Sequence, residues 1–154
     1  MYKRQVFFGE TAINLDAKGR LAIPMRYRDS IQEVCDGRLV LTYSAFDSGA
    51  LYLYPEEEWK QVRDQVMTLS PARRSHRSLQ RKLVGSASTV EPDGNGRIQL
   101  PQTLRQVAGL EKKVALLGMG KRFEIWNDNV LNQERFDENG LDEDITEEMT
   151  RIDF

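Results

Sequence analysis

One cysteine and one histidine are all that this 154-residue chain holds of thiol and imidazole chemistry. Cys35 has no second thiol with which to form an internal disulfide, and with His76 it makes no zinc-ligand spacing, so no metal and no cofactor are expected. Cys35 is read as a packing residue and His76 as a surface residue. No apolar run approaches the roughly 20 residues that a bilayer-spanning helix needs. The polar start Met1-Tyr2-Lys3-Arg4-Gln5 leads into no apolar signal-peptide core, so the expectation is a cytoplasmic protein without a membrane partner. There is no Gly-x-x-x-x-Gly-Lys phosphate loop and no nucleophile with an evident base, so the chain is not read as an enzyme. Nor does the net charge of −2 advertise nucleic acid.

Counted by segment, however, the charge is polarised. Residues 1–85 carry 14 basic and 10 acidic groups, and residues 86–154 carry 8 and 14. Most of that second imbalance is terminal: from Glu134 onward there are nine acids and two bases, with few large apolar residues to bury. The acidic tail is expected to act as a solubility segment, and the body without it is basic.

An internal repeat organises the body. Asp16-Ala-Lys18-Gly19-Arg20-Leu21-Ala-Ile23-Pro24-Met-Arg-Tyr27-Arg28 aligns without a gap on Asp93-Gly-Asn95-Gly96-Arg97-Ile98-Gln-Leu100-Pro101-Gln-Thr-Leu104-Arg105, at an offset of 77 residues. The shared pattern, Asp-x-x-Gly-Arg-apolar-x-apolar-Pro-x-x-bulky-Arg, has too many fixed positions for coincidence. Downstream the parallel continues. Leu39–Tyr43, then Leu51–Tyr54 before Pro55 and Trp59, resembles Val114–Leu117, then Phe123–Trp126 before Asn127.

Each unit reads locally as strand, turn, strand, short helix, strand, strand. Alternation over Ala12–Leu15 and Arg20–Ile23 predicts a β-hairpin closed by the Asp16–Gly19 turn, where aspartate accepts from backbone two residues on and glycine supplies a positive φ. Pro24 and Pro101 open the helices Met25–Val34 and Gln102–Ala108, with Gly37 and Gly109 past their ends. Neither unit can bury both faces of its short strands, so the two are expected to share a barrel core across a pseudo-twofold axis. Between them, Pro55-Glu56-Glu57-Glu58 starts a helix carrying Trp59, Val62 and Val66, and Ala72–Val84 reads as a second, Arg-rich helix ending near Gly85, so that the two make a helical hairpin.

The functional candidates are the two turns. Lys18, Arg20 and Arg97 sit on or beside tips whose shape is set by Asp16, Gly19, Asp93 and Gly96, and a rigid basic loop suits a DNA groove, where Arg reads guanine bidentately and Lys holds phosphate. The bland alternative is an Asp–Arg pair in each loop that only stabilises the turn. On the second helix Arg73, Arg77 and Arg81 are spaced four apart, with Arg74 and Lys82 beside them. That stripe is a candidate oligomer interface, facing acids such as Glu56, Glu57 or Glu58 of a neighbour, or a secondary DNA contact.

These residues resemble the MraZ family over roughly residues 7–130. The resemblance rests on Asn14-Leu-Asp-Ala-Lys-Gly-Arg20 with Pro24-x-Arg26-Tyr-Arg28, on Leu51-Tyr-Leu-Tyr54-Pro55-x-x-x-Trp59, on the Arg-rich segment ending at Gly85, and on Gly96-Arg97 with Leu100-Pro101-x-x-Leu104-Arg105. It implies an α+β fold of two tandem swapped-hairpin domains like those of the AbrB regulators, assembled as a homo-oligomeric ring. It also implies a transcription regulator, often a repressor, that binds direct repeats in double-stranded DNA upstream of its own division and cell-wall operon and associates with the nucleoid. Asp16–Arg20 and Asp93–Arg97 would then be the DNA-facing loops. The expected layout is a first repeat at 7–57, a helical connector at 58–85, a second repeat at 86–130 and an acidic tail at 131–154. The chain departs from the family pattern in the Met1–Gln5 extension, in Phe8 where a basic residue is frequent, and in Asn95 at the position matching Lys18, so the first loop is expected to contribute more. The alternatives are an antitoxin-like protein and a purely structural swapped-hairpin oligomer.

Overall fold

Short strands with one apolar face need a second layer, and in the computed structural model, which describes residues 6–135 and 145–154, each repeat finds that layer in the other. The first repeat runs β1 (Phe7–Asn14), β2 (Arg20–Ala22), α1 (Met25–Cys35), β3 (Leu39–Tyr43) and β4 (Ala50–Pro55). There follow α2 (Glu56–Met67), α3 (Arg74–Gln80) and a π-helical turn, Arg81–Gly85. The second repeat runs β5 (Ser88–Val90), β6 (Arg97–Gln99), α4 (Gln102–Val107), β7 (Lys113–Gly120) and β8 (Phe123–Asn127). Beyond it lie α5 (Asp128–Arg135) and a short α6 (Glu147–Thr150). The mixture of helices and antiparallel sheet is α+β.

The expected hairpin is corrected by the strand pairing. β1 does not pair with β2: it lies antiparallel to β7, while β2 lies antiparallel to β6. The six-stranded sheet has the order β1-β7-β8-β4-β3-β5, which is unchanged when equivalent strands of the two repeats are exchanged. The first strand of each repeat therefore adds to the third strand of the other, and the fourth strands, β4 and β8, meet in the middle. The turn itself is present, closed by Asp16 N–H on Arg20 O at 3.1 Å and Gly19 N–H on Asp16 O at 2.9 Å, but its flanks diverge at once.

This exchange produces one main core. Leu21, Ile23, Leu41, Leu51 and Leu53 of the first repeat are buried in the same cluster as Ile98, Leu100, Val114, Leu116, Phe123 and Ile125 of the second. Phe7 crosses onto Phe123 at 4.3 Å between ring centroids, and Tyr27 stands edge-on to Phe123 at 4.9 Å. The other face of the sheet is covered by α2 and the π-helical turn, through Trp59, Val66 and Leu83 on Val40, Tyr52 and Tyr54, and by Leu131 of α5 on Trp126, Ala50 and Ala115. On that face the Trp126 indole N–H and the Arg122 guanidinium both donate to Glu124 at 2.9 Å, and Arg122 lies 3.9 Å over the Tyr52 ring. Burial pushes the Tyr54 hydroxyl up to about 12.

Pro24, Pro55 and Pro101 precede their helices with φ of −56°, −57° and −56°, the ring-fixed value that leads a chain from strand into helix. Cys35 is buried, its thiol donating to Ile31 O at 3.2 Å and pushed up by burial. The Arg-rich segment is helical as far as Gly85, but its last turn changes register: α3 ends at Gln80 and the next turn is π-helical, with the Thr42 hydroxyl donating to the carbonyls of Lys82 and Leu83 at 3.2 and 2.8 Å. The Met1–Gln5 extension lies outside the described residues, as does 136–144 of the acidic tail.

Candidate functional site

Aspartate four residues ahead of arginine, with glycine between, builds the same turn twice. Asp16 Oδ1 accepts the backbone N–H groups of Lys18 and Arg20, each at 2.9 Å, and Asp93 Oδ1 accepts those of Asn95 and Arg97 at 2.8 and 3.0 Å. Gly19 and Gly96 take φ of +76° and +74°, which closes each turn. The bonds that shape the loops also hold both carboxyls below the usual aspartate value. For Asp16 the backbone N–H of Arg20 is the largest cause, with the Arg20 side chain adding to it against desolvation; for Asp93 it is the backbone N–H of Arg97, then that of Asn95.

Pairing of β2 with β6 brings the two loops to opposite ends of a two-stranded ribbon. Leu21 faces Ile98 inward, both fully buried, so alternation puts Arg20, Ala22, Arg97 and Gln99 on the outer face. Arg20 Nε donates to Asp16 Oδ2 at 2.6 Å. The equivalent bond is absent in the second loop, where Arg97 Nε lies 3.6 Å from Asp93 Oδ2 and is buried without a hydrogen-bond partner. Instead Arg97 leans across the ribbon, its Nη1 3.6 Å from Asp16 Oδ2. Asp16, Arg20, Arg97 and Asp93 thus form one four-charge cluster spanning both repeats. Lys18, exposed at the loop tip, makes no ion pair among the described residues.

Sequence reasoning placed all seven loop residues at one site, but it missed three others. Arg28 and Arg105 fall just beyond the loops: their Nε atoms donate to Ile23 O at 2.7 Å and Leu100 O at 2.9 Å, and each guanidinium covers the glycine of the opposite loop, Gly96 and Gly19 respectively. The paired Pro-x-x-x-Arg spacing was the signal for them. Gln99, whose Nε2 donates to Lys18 O at 2.8 Å, has no counterpart, since Ala22 stands at the matching position.

The Arg-rich segment lies elsewhere, with Arg73 at the start of α3 and Arg77 and Arg81 at the next two four-residue steps. Arg73 precedes α3 in extended conformation, Arg77 folds back to donate to Pro71 O at 2.8 Å, and Arg81 begins the π-helical turn. Arg73, Arg74 and Arg81 are exposed. His76 lies at the surface, partly covered, its Nδ1 2.9 Å from Ser70 O. Of the acids expected to face this segment from a neighbour, Glu58 is buried at 4% exposure, while Glu56 pairs with Arg38 at 3.0 Å and Glu57 with Lys60 at 3.1 Å.

Comparison with known proteins gives a consistent result. The family model for the MraZ protein, whose description adds an antitoxin-like label, matches twice, over residues 6–82 and 83–151. The chain is 53% identical over 123 residues to the transcriptional regulator MraZ of Stenotrophomonas maltophilia, covering 80% of this chain and 83% of that one. It is 51% identical over 123 residues, with the same coverage, to the protein of that name from Xanthomonas campestris pv. campestris. The match to the one from Marinobacter nauticus is 43% over 146 residues, covering 95% and 97%.

Proposed function

The chain belongs to the MraZ family, and from that premise we propose that it regulates transcription by binding double-stranded DNA sequence-specifically through the outer face of the β2–β6 ribbon and the two Asp-x-x-x-Arg loops at its ends. The observation that carries the reading is the convergence of both loops on one face, with Lys18 making no ion pair among the described residues at a tip whose backbone is held by Asp16. A two-stranded ribbon fits the major groove, and a groove supplies guanine edges and phosphates that compete with Asp16 and Asp93 for Arg20 and Arg97.

The exchange of β1 and β5 between repeats supports reading each repeat as an AbrB-type swapped hairpin on a common barrel-like core. The Gln80 amide, which donates to the carbonyls of Val66 and Leu69 at 3.3 and 3.1 Å, supports reading α2 and α3 as a helical hairpin. The targets are direct repeats upstream of the protein's own division and cell-wall operon, which it represses from the nucleoid. A homo-oligomeric ring engages successive repeats together, so that avidity multiplies weak single contacts. Arg73, Arg74, Arg77 and Arg81 serve the ring interface or a secondary DNA contact.

The test is gel-shift binding to the DNA upstream of this gene, with wild type, Arg20→Ala and Arg97→Ala at two salt concentrations. Selective binding that falls steeply with salt and is lost in Arg20→Ala supports the reading. Moving the repeats by half a helical turn should abolish the multivalent gain. The second reading, an antitoxin-like or purely structural oligomer, is favoured by the Asp–Arg pairing itself, which satisfies Arg20 within the loop. In that case Arg20→Ala lowers stability, and the folded wild type leaves its own upstream DNA unshifted at low salt.

A further inference from the structure

We infer that Arg28 and Arg105 are positioning residues, each setting the Asp-x-x-x-Arg loop of the opposite repeat. Three contacts close each clamp. Leu100 N–H donates to Gly19 O at 3.2 Å, Leu100 O accepts from Arg105 Nε at 2.9 Å, and the Arg105 guanidinium fills the space over Gly19 where a side chain would stand. The other clamp repeats this with Ile23 N–H on Gly96 O at 2.8 Å, Ile23 O accepting from Arg28 Nε at 2.7 Å, and the Arg28 guanidinium over Gly96. Each arginine thus bonds its own repeat and covers the other.

The chemistry suits arginine alone. A guanidinium is flat, so one edge donates in its plane to a carbonyl while its face lies against backbone; a lysine ammonium is a point charge with no face to lay on glycine. Glycine is required beneath it twice over, for the positive φ and for the missing side chain: a Cβ on Gly19 would stand 2.5 Å from Arg105 Nε, and one on Gly96 2.5 Å from Arg28 Nε. The same arginine walls a cleft beside each glycine, of about 460 Å³ at Gly19 and about 270 Å³ at Gly96. The clamps differ in one respect: Gln99 adds a bond to Lys18 O in the first loop, and Ala22 cannot return it. The second loop therefore has one side-chain support fewer and leans more on Arg28.

The functional consequence rests on the DNA-binding reading, but the clamp itself is tested without DNA. Amide hydrogen exchange would be measured on the full-length protein for wild type, Arg28→Lys, Arg105→Lys and Gln99→Ala. Losing one charge-assisted hydrogen bond should speed local opening by about ten-fold. Arg105→Lys is expected to accelerate exchange at Lys18, Gly19 and Arg20 while leaving Asn95, Gly96 and Arg97 alone, and Arg28→Lys to do the reverse, with the larger effect of the two. Gln99→Ala should loosen only the first loop. Acceleration in the loop of the mutated repeat, in both loops equally, or in neither overturns the clamp. On upstream DNA, Arg105→Lys should lose affinity with the salt slope unchanged, since the charge is kept; full affinity in the lysine variant with a shallower slope in Arg105→Ala would make Arg105 a phosphate contact and overturn its positioning role. Crossed exchange patterns in a protein that binds no DNA would sustain the clamp and sink the DNA-binding reading.

Discussion

Replacing Gly19 by alanine tests the loop geometry without touching a charge. The residue holds φ of +76°, and placing an alanine there costs roughly 1–2 kcal/mol because its Cβ crowds the following carbonyl. The new methyl would also meet the Arg105 guanidinium, at 2.5 Å from Nε, so the arginine must swing away and give up its bond to Leu100 O, about 1–2 kcal/mol more. A total near 3 kcal/mol lowers the midpoint of thermal unfolding by roughly 6–12 °C in a chain of this size. Gly94 provides the internal control, one position after Asp93: it has no positive φ, and a Cβ there meets nothing within 4 Å, so Gly94→Ala should be neutral or slightly stabilising. Circular dichroism melts of wild type and both variants, at one protein concentration, decide the matter. A Gly19→Ala melt that coincides with Gly94→Ala would refute both the strain and the clamp arguments.

Other consequences follow from the same geometry. Gly118→Ala puts a methyl group into the backbone of Phe7 and Phe8, 2.7 Å from the Phe7 carbonyl carbon, so β1 should detach from β7 and lose amide protection over Phe7–Thr11; retained protection would contradict the pairing. Asn95→Lys gives the second loop the cation that the first has in Lys18, and each added phosphate contact steepens the dependence of log K on log salt by about 0.9, read from gel shifts at several salt concentrations. Because Asp16 and Asp93 are held below the ordinary aspartate value of 3.8, the unfolded chain takes up their protons first as pH falls. Their contribution is whole above about pH 5 and is lost through the range below pH 4; loop amide shifts that move at higher pH would contradict this. Tyr54 should ionise near 12, above the ordinary tyrosine value near 10, which a phenolate absorbance titration of wild type against Tyr54→Phe resolves. Its raised value in the folded chain makes high pH destabilising, the loss beginning near pH 10, where the unfolded chain would first release that proton.

Much of the molecule was legible in one dimension because its signals are local. The Asp-x-x-Gly-Arg turns, the prolines that start α1, α2 and α4, and the glycines past the ends of α1 and α4 each act within a few residues, and the structure places them as their chemistry requires. Duplication was equally plain, since near-identical residues recur at a constant spacing. What local chemistry could not choose was the partner of each strand. β1 and β5 are equivalents, as are β3 and β7, so the alternation in β1 serves equally well beside β2 or beside a strand of the other repeat; only the gain from closing one shared core, with Phe7 on Phe123 and Leu21 on Ile98, selects the exchange. The same tertiary choice brought Arg97 to Asp16 and laid Arg28 and Arg105 over glycines 68 and 86 positions away. Sequence alone determined the two turns and their repetition; tertiary structure decided which turn each arginine serves, because the main core is built between the repeats.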